Sequence, residues 1–281
     1  MNTLLVLIDF SEASCYAAAY ACILARQFKS NRIVLLHKYQ DKLTISETEY
    51  FEGNSDFLHE KAMIALEELA LSQQAAVADP GLITFNYRAD YGPLDDINEI
   101  AAEEGAQLLV LGTTGKTKMQ EILIGSNAMN ISKYSSVPVV LVPPKIEMQP
   151  VQKIIFACDF KVEATFPKTI IKKLLDEIHL PITIVNVDKG NTNTTATGNC
   201  TDNAELNELM SDYNPTYNYI SNTDTVTGIL EFAAAHINPL ILLVIKEHGL
   251  QGLFHQSITR QLTRNTPIPL LILNEYKNEI I

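Results

Sequence analysis

The sequence has no tryptophan, few cysteines and histidines, and fewer basic than acidic residues. The shortage of basic residues excludes the largest number of possible binding partners. Its 281 residues include 21 Lys and Arg against 33 Asp and Glu, a formal net charge of −12. Because binding to nucleic acid or to an anionic membrane surface needs a basic face, this charge argues against both partners. Tryptophan is absent, but hydrophobic residues make up 47% of the chain, which excludes global disorder.

The N-terminal stretch MNTLLVLIDFSEAS contains no basic residue and reaches Asp9 after a short apolar run. It therefore predicts neither a signal peptide nor a membrane span, and we expect a cytoplasmic protein. The four cysteines form no C-x-x-C pair and have no His at zinc-finger spacing, so we expect reduced thiols.

Catalytic and metal-binding motifs are also missing. No H-E-x-x-H motif, nucleophile elbow or carboxylate cluster at ligand spacing accompanies the six histidines. We therefore expect packing or surface roles for the histidines, including His248 and His255. We expect one solvated helix face to carry the acidic residues Asp95, Asp96, Glu99, Glu103 and Glu104.

Apolar runs alternate with helical patterns along the whole chain, which predicts β-α-β units and a parallel sheet. Five strand candidates come first: LLVLID (4–9), RIVLLHKY (32–39), LITFNYRA (82–89), QLLVLG (107–112) and VPVVLV (137–142). The helical patterns that connect them lie at 12–28, 47–76, 95–105 and from about residue 125.

A second series begins after the Pro-containing segment 143–150. Its strand candidates are KIIFACDF (153–160), PITIVNV (181–187), the end of the run 227–245, and IPLLIL (268–273). Since the chain exceeds a typical domain of roughly 100–150 residues, we predict two tandem α/β domains, residues 1–145 and 151–281.

The stretch GTTGKTKMQEILIGSN (112–127) contains the tripeptide GKT, but a P-loop would need Gly at position 110, which is Val. What remains is a spaced glycine pattern between the fourth strand and the next helix. Ligands of open parallel sheets bind beyond the carboxyl ends of the strands, where glycines and a helix N-terminus can hold an anion. We predict a phosphate site formed by Gly112, Gly115, Lys116, Gly125, Ser126 and Asn127.

Asp9 and Lys38 end the first and second strand candidates, at the same sheet edge. The Asp9 carboxylate could accept a hydrogen bond from an exocyclic amine such as that of adenine, and Lys38 could supply backbone groups. Asp9 could equally have a structural role, as the N-cap of the following helix or as a partner of Ser11. Both the ligand-binding and the structural interpretation stay open.

These residues resemble the universal stress proteins in their tandem two-domain form. The family's motif G-x2-G-x9-G-[ST] is matched by Gly112, Gly115, Gly125 and Ser126, and its opening Asp by Asp9. The resemblance covers nearly the whole chain. It implies doubly wound, five-stranded parallel sheets of order 3-2-1-4-5 with helices on both faces, pairing of the domains through their last strands, and little catalysis. It also implies ATP or another adenine nucleotide as ligand, with or without Mg²⁺.

The second copy departs from this motif. Lys246 and Gln256 stand where the first and third glycines belong, while Gly249 and Ser257 are kept. Side chains at 246 and 256 would occupy the space of a phosphate, so we expect one nucleotide per chain. The second domain would then be mainly structural or interacting.

Three function classes remain: a nucleotide-binding stress-response regulator, a slow ATP hydrolase, and an interaction protein with a vestigial or non-nucleotide site. The missing catalytic base weighs against the second, and the complete motif weighs against the third. An exposed apolar edge strand invites pairing, so VPVVLV and IPLLIL should meet in an intramolecular pseudo-dimer. A homodimer and a regulatory protein partner are left open.

Overall fold

A computed structural model describes residues 1–40, 55–76, 82–113, 126–158, 166–188, 204–245, 258–263 and 266–274. The first half alternates strands and helices in the order β1 Thr3–Leu7, α1 Glu12–Gln27, β2 Arg32–Tyr39, α2 Ser55–Ala76, β3 Thr84–Tyr91, α3 Ile97–Glu103, β4 Leu108–Gly112, α4 Ser126–Tyr134 and β5 Val139–Val142. The second half contains β6 Lys153–Ala157, α5 Lys168–Ile178, β7 Ile182–Asp188, α6 Ala204–Met210, β8 Thr216–Ser221, α7 Thr225–Ala234, β9 Pro239–Ile245 and β10 Leu270–Asn274.

All ten strands form one sheet in the order β3-β2-β1-β4-β5-β10-β9-β6-β7-β8. Within each half the strands are parallel, and each half repeats the order 3-2-1-4-5. This confirms the predicted fold class. The halves meet where β5 and β10 pair antiparallel, with Val139 opposite Ile272 and Leu141 opposite Leu270. The expected contact between VPVVLV and IPLLIL is therefore present.

The inner strands are largely apolar because helices cover both faces of the sheet, whereas the edge strands β3 and β8 carry several polar residues. In β1, Leu4 and Val6 pack into one buried cluster with α1, α2, α5 and α6. Leu5, which points the other way, packs into a second cluster with α3, α4 and α7. Alternate residues of one strand thus pack into two different cores. This explains why apolar and polar residues do not alternate in the apolar runs of the sequence.

Hydrogen bonds hold the segment between β5 and β6 against α1. The Gln27 side chain exchanges two hydrogen bonds with the backbone of Val151, at 2.7 and 2.9 Å. The Tyr16 hydroxyl donates to the carbonyl oxygen of Ile146. The domain limits predicted at 145 and 151 fall in this segment and stay a prediction.

Some predicted boundaries shift by a few residues. β3 begins at Thr84 and continues to Tyr91, two residues beyond the predicted end. The helical pattern at 95–105 forms a helix over Ile97–Glu103 alone, and residues 47–54 of the long helix candidate lie outside the described residues. Cys15, Cys22 and Cys158 are free thiols, and burial raises the pKa of Cys22 to about 12. Cys200 lies outside the described residues.

Candidate functional site

The structure brings several predicted site residues to one edge of the first half. Asp9 follows β1, Lys38 lies near the end of β2, Gly112 ends β4, and Ser126 begins α4. Gly115, Lys116 and Gly125 lie outside the described residues, as do the side chains of Ser126 and Asn127. In the second half, positions 246, 249, 256 and 257 are also outside them, together with His248 and His255.

The turn from β1 into α1 fixes the Asp9 carboxylate. Ser11 is the N-cap of α1, and its hydroxyl oxygen accepts a hydrogen bond from the Ser14 N–H at 3.2 Å. Asp9 Oδ1 in turn accepts from the Ser11 N–H at 3.0 Å and from the Ser11 hydroxyl at 2.5 Å. Asp9 is therefore a partner of Ser11 and not itself the cap, one of the alternatives that the sequence left open.

This turn carries backbone strain. Phe10, between Asp9 and Ser11, has a φ of 59°, in the left-handed region. That region costs a residue with a side chain about 1–2 kcal/mol, and such strain is commonest at functional sites.

The surroundings of Asp9 favour its ionised form. Partial burial raises the pKa of the carboxyl group, but hydrogen bonds from the hydroxyl and N–H of Ser11, and from Ser14, outweigh it. The net pKa lies below its usual value. An ionised carboxylate only accepts hydrogen bonds, so Asp9 is suited to a ligand that donates them.

A cavity of about 870 Å³ opens beside Asp9. Its walls come from the end of β2, the loop between β3 and α3, and one face of α4, and its lining residues are Asp9, His37, Lys38, Tyr39, Gln40, Gly92, Pro93, Leu94, Asp95, Ile97, Asn98, Asn130, Ile131 and Tyr134. Cavities of roughly 300–1,000 Å³ hold small-molecule ligands. The cavity lies beyond the carboxyl ends of parallel strands, where open α/β sheets bind their ligands.

Hydrogen bonds at Gly92 and Asn98 hold the cavity wall in place. Gly92 donates its N–H to the Tyr39 carbonyl at 2.9 Å with a φ of 111°, which side chains rarely adopt. Asn98 ties α3 to the end of α4, because its amide donates to the Tyr134 carbonyl and accepts from the Ser136 N–H.

Lys38 has a side-chain role that sequence reasoning missed. Its side chain is 5% exposed, and its Nζ lies 2.7 Å from Asp96 Oδ2. Lys38 points to the same face of β2 as the buried Val34 and Leu36, which is the sequence signal that could have indicated a buried partner. The ion pair joins the end of β2 to the start of α3 at the cavity wall.

The prediction of a solvated acidic face on α3 was wrong for part of its residues. Asp96 precedes the helix and pairs with Lys38, while Glu104 follows it and forms an ion pair with Arg32. Glu103 contacts Arg88 at 2.7 Å but is 61% exposed, so it stays on the solvated face. The carboxylates of Asp96 and Glu104 face a lysine and an arginine of the neighbouring strands, because they flank the two ends of a short helix that lies over the sheet.

Aromatic side chains form a row along the strand ends on the other face of β2. His37 lies between Phe10 and Tyr39, with ring centroids 4.7 and 6.5 Å away, and Tyr39 meets Tyr91 edge to face at 5.8 Å. His37 Nδ1 is 2.7 Å from the Ile8 carbonyl oxygen. This histidine thus packs, as expected, although nothing in the sequence placed it beside the site.

Gly112 has a structural requirement that is independent of any ligand. A Cβ at this position would lie 2.3 Å from the carbonyl oxygen of Ala13 and 2.5 Å from its carbonyl carbon. The end of β4 therefore packs directly against the first turn of α1. Its predicted contact with phosphate stays a prediction.

The family follows from comparison with known proteins. A model described as the universal stress protein family matches residues 1–143, half of the chain. The chain belongs to the universal stress protein family. This universal stress protein is 28% identical over 141 residues to MJ0531 of Methanocaldococcus jannaschii, covering 50% of this chain and 81% of that one. It is 42% identical to MJ0577 of the same organism over 53 residues, which are 33% of that relative's length.

Among solved structures, one similar in fold over the full length is a universal stress protein from Archaeoglobus fulgidus. The two share 16% sequence identity with a TM-score of 0.69, and the match covers 98% of both chains. A functionally unknown protein from Pseudomonas aeruginosa matches 99% of this chain with a TM-score of 0.59 and 14% identity. At such low sequence identities these comparisons show a shared fold and nothing about function.

The described residues contain no group of three or more His, Cys, Asp or Glu side chains placed to hold a metal ion. None of the helices in the described ranges has the length and apolar character needed to cross a membrane.

Proposed function

We propose that this universal stress protein binds one adenine nucleotide per chain in the cavity beside Asp9. Residues 1 to about 145 form the binding domain, and residues 151–281 form a domain that is mainly structural or interacting. The observation that carries the proposal is the 870 Å³ cavity, which lies between Asp9 and α4 at the sheet edge where Gly112 ends β4.

The nucleobase fits the end of the cavity near Asp9. An adenine presents an exocyclic amine, which is a hydrogen-bond donor, and the ionised Asp9 carboxylate is an acceptor held in place by Ser11. Because the Ser11 bonds all end on Oδ1, Asp9 can receive a ligand donor without giving up the turn that starts α1.

The phosphates are assigned to the N-terminus of α4. This helix begins at Ser126, directly after the last glycine of the spaced motif, and its first-turn N–H groups favour an anion. The cavity meets the same helix further along, at Asn130, Ile131 and Tyr134. The motif in the sequence and the cavity in the fold thus support the same ligand class. Hydrolysis is expected to be slow or absent, since no residue of the spaced glycine motif is a base that could activate water.

Calorimetric titration of the full chain with ATP tests the proposal. We expect one site per chain, and about 10- to 100-fold weaker binding for Asp9→Asn, which removes the charge but not the shape of the acceptor. Asp212→Asn is the matched control, because Asp212 is an exposed carboxylate of the second half.

A second variant tests the phosphate side. Gly125→Val should abolish binding, because its side chain would occupy space next to the first turn of α4. Absence of binding by the wild type, two equivalent sites, or unchanged affinity in both variants would contradict the proposal.

A further inference from the structure

The outward face of α2 carries a line of apolar side chains that remain largely exposed among the described residues. Phe57, Ile64 and Leu71 are 61%, 52% and 60% exposed. We call these three residues the outer stripe. The side chains that attach α2 to the sheet, Ala62, Leu66 and Ala70, lie on the opposite side of the helix and are buried.

The spacing of the outer stripe suits a second helix. Seven residues are about 20° short of two full turns, so the three side chains form a nearly straight line of about 21 Å along α2. A heptad line of large apolar residues is the geometry with which helices pack side by side. The outward face of a helix in a globular protein is ordinarily polar, so an exposed apolar stripe there is a candidate contact surface.

The second half of the protein offers an internal comparison. α6 lies between β7 and β8 as α2 lies between β2 and β3, yet no exposed large apolar side chain of the described residues belongs to α6. α6 has seven residues against 22 in α2, and the described part of the second half contains no counterpart of the stripe.

The charges beside the stripe indicate what kind of helix fits. Asp56, Glu60, Glu67 and Glu68 flank it, all exposed, with Lys61 as the single cation among these neighbours. The chain as a whole carries a net charge of −12. A helix with Lys or Arg beside its apolar residues would place opposite charges on both borders of the stripe.

A second copy of this chain fits less well. In an antiparallel two-fold arrangement centred on Ile64, Lys61 would face Glu68 of the second copy, but Glu60 would face Glu67. In a parallel arrangement Lys61 would face Glu60 of the second copy, but Glu67 would face Glu68. Each arrangement pairs every attractive contact with a repulsive one, so charge does not favour self-association.

We propose that the outer stripe of α2 is a docking surface for a basic amphipathic helix of another protein. The site is separate from the nucleotide cavity, and the proposal does not depend on nucleotide binding. Its apolar contacts supply affinity, and the acidic border selects a cationic partner.

Two synthetic peptides of about 21 residues, or three heptads, serve as probes in a fluorescence anisotropy titration with the full chain. Both contain the same Leu, Lys and Arg residues. One places Leu at the a and d positions, and the other spreads Leu evenly around the helix. We expect saturable binding of the first peptide, weakened by salt, and much weaker binding of the second.

Ile64→Ser should weaken binding of the heptad peptide about tenfold or more, because it removes the centre of the stripe. Ile237→Ser is the matched control, since Ile237 is 77% exposed and lies outside α2. Equal binding of the two peptides, equal affinity of both variants, or affinity independent of salt would overturn the proposal. Sedimentation showing a wild-type dimer that Ile64→Ser dissociates would assign the stripe to a second copy instead, and would also overturn it.

Discussion

Replacing Gly112 by Ala should destabilise the protein even when no ligand is bound. The added methyl group would lie 2.3 Å from the Ala13 carbonyl oxygen and 2.5 Å from its carbonyl carbon, far inside normal contact distance. Both atoms are backbone atoms in the first turn of α1, so no rotamer change can relieve the contact. Overpacking of a core costs about 1–3 kcal/mol, and we expect Gly112→Ala at the upper end of that range.

Gly228→Ala is the control for this prediction. Its Cβ would lie 3.0 Å from Asn222 Cβ and 3.1 Å from Val187 Cγ1, a milder contact than at Gly112 that requires these atoms to shift by only a few tenths of an ångström. Gly228 is inside α7, where Ala is favoured over Gly by about 1 kcal/mol. We therefore expect a change in unfolding free energy close to zero for Gly228→Ala.

The assay is urea unfolding followed by far-UV circular dichroism, after bound small molecules have been removed. A glycine needed only for approach to phosphate would leave unfolding of the ligand-free protein unchanged, since its effect would be limited to affinity. If Gly112→Ala unfolds at the same urea concentration as the wild type, the close packing of β4 against α1 is not a constraint, and the argument fails.

Three further predictions concern the ion pair, Asp9 and the sheet junction. Asp96→Asn should lower the unfolding free energy by about 1–3 kcal/mol, because it leaves the 5% exposed ammonium group of Lys38 without its partner. Lys38→Met should lower it less, and additive effects in the double mutant would contradict the pairing. The folded-state pKa of Asp9 is depressed, so its stabilising effect is present above the unfolded pKa of about 3.9 and is lost as the pH falls through the folded value. Carbon-13 NMR should find that pKa below the usual range, and Ser11→Ala should raise it, whereas an unchanged value would disprove the role of Ser11. Residues 1–145 expressed alone should dimerise or aggregate, because β5 loses β10; a fragment that stays monomeric by light scattering, as stable as the full chain, would contradict this.

The inner strands were predictable from the sequence because both of their faces are buried. Runs such as LLVLG and VVLV are apolar at every position, and the structure places them within a residue or two of their predicted bounds. The strand order, in contrast, came from the resemblance to a family, since no local pattern states which strands are neighbours. The antiparallel contact between β5 and β10 followed from the argument that an apolar edge needs a cover.

The parts of the site that sequence reasoning missed all depend on contacts between distant residues. Lys38 and Asp96 are 58 positions apart. The contact that requires glycine at position 112 lies with the backbone of Ala13, about which a residue pattern says nothing. Asp96 was assigned to a helix face because periodicity places a helix end only to within a few residues, and those residues decide whether a carboxylate faces water or the sheet.

The reversal between β5 and β10 brings both kinds of strand end to each rim of the sheet. Because these strands run in opposite directions, the carboxyl ends of the first half and those of the second half lie at opposite rims of the same sheet. Five strand spacings separate β1 from β6, about 24 Å across the sheet. A protein wide enough to span that distance over the Asp9 rim would therefore also meet the amino-terminal ends of β6 to β10, and the two halves would present it with different kinds of strand end.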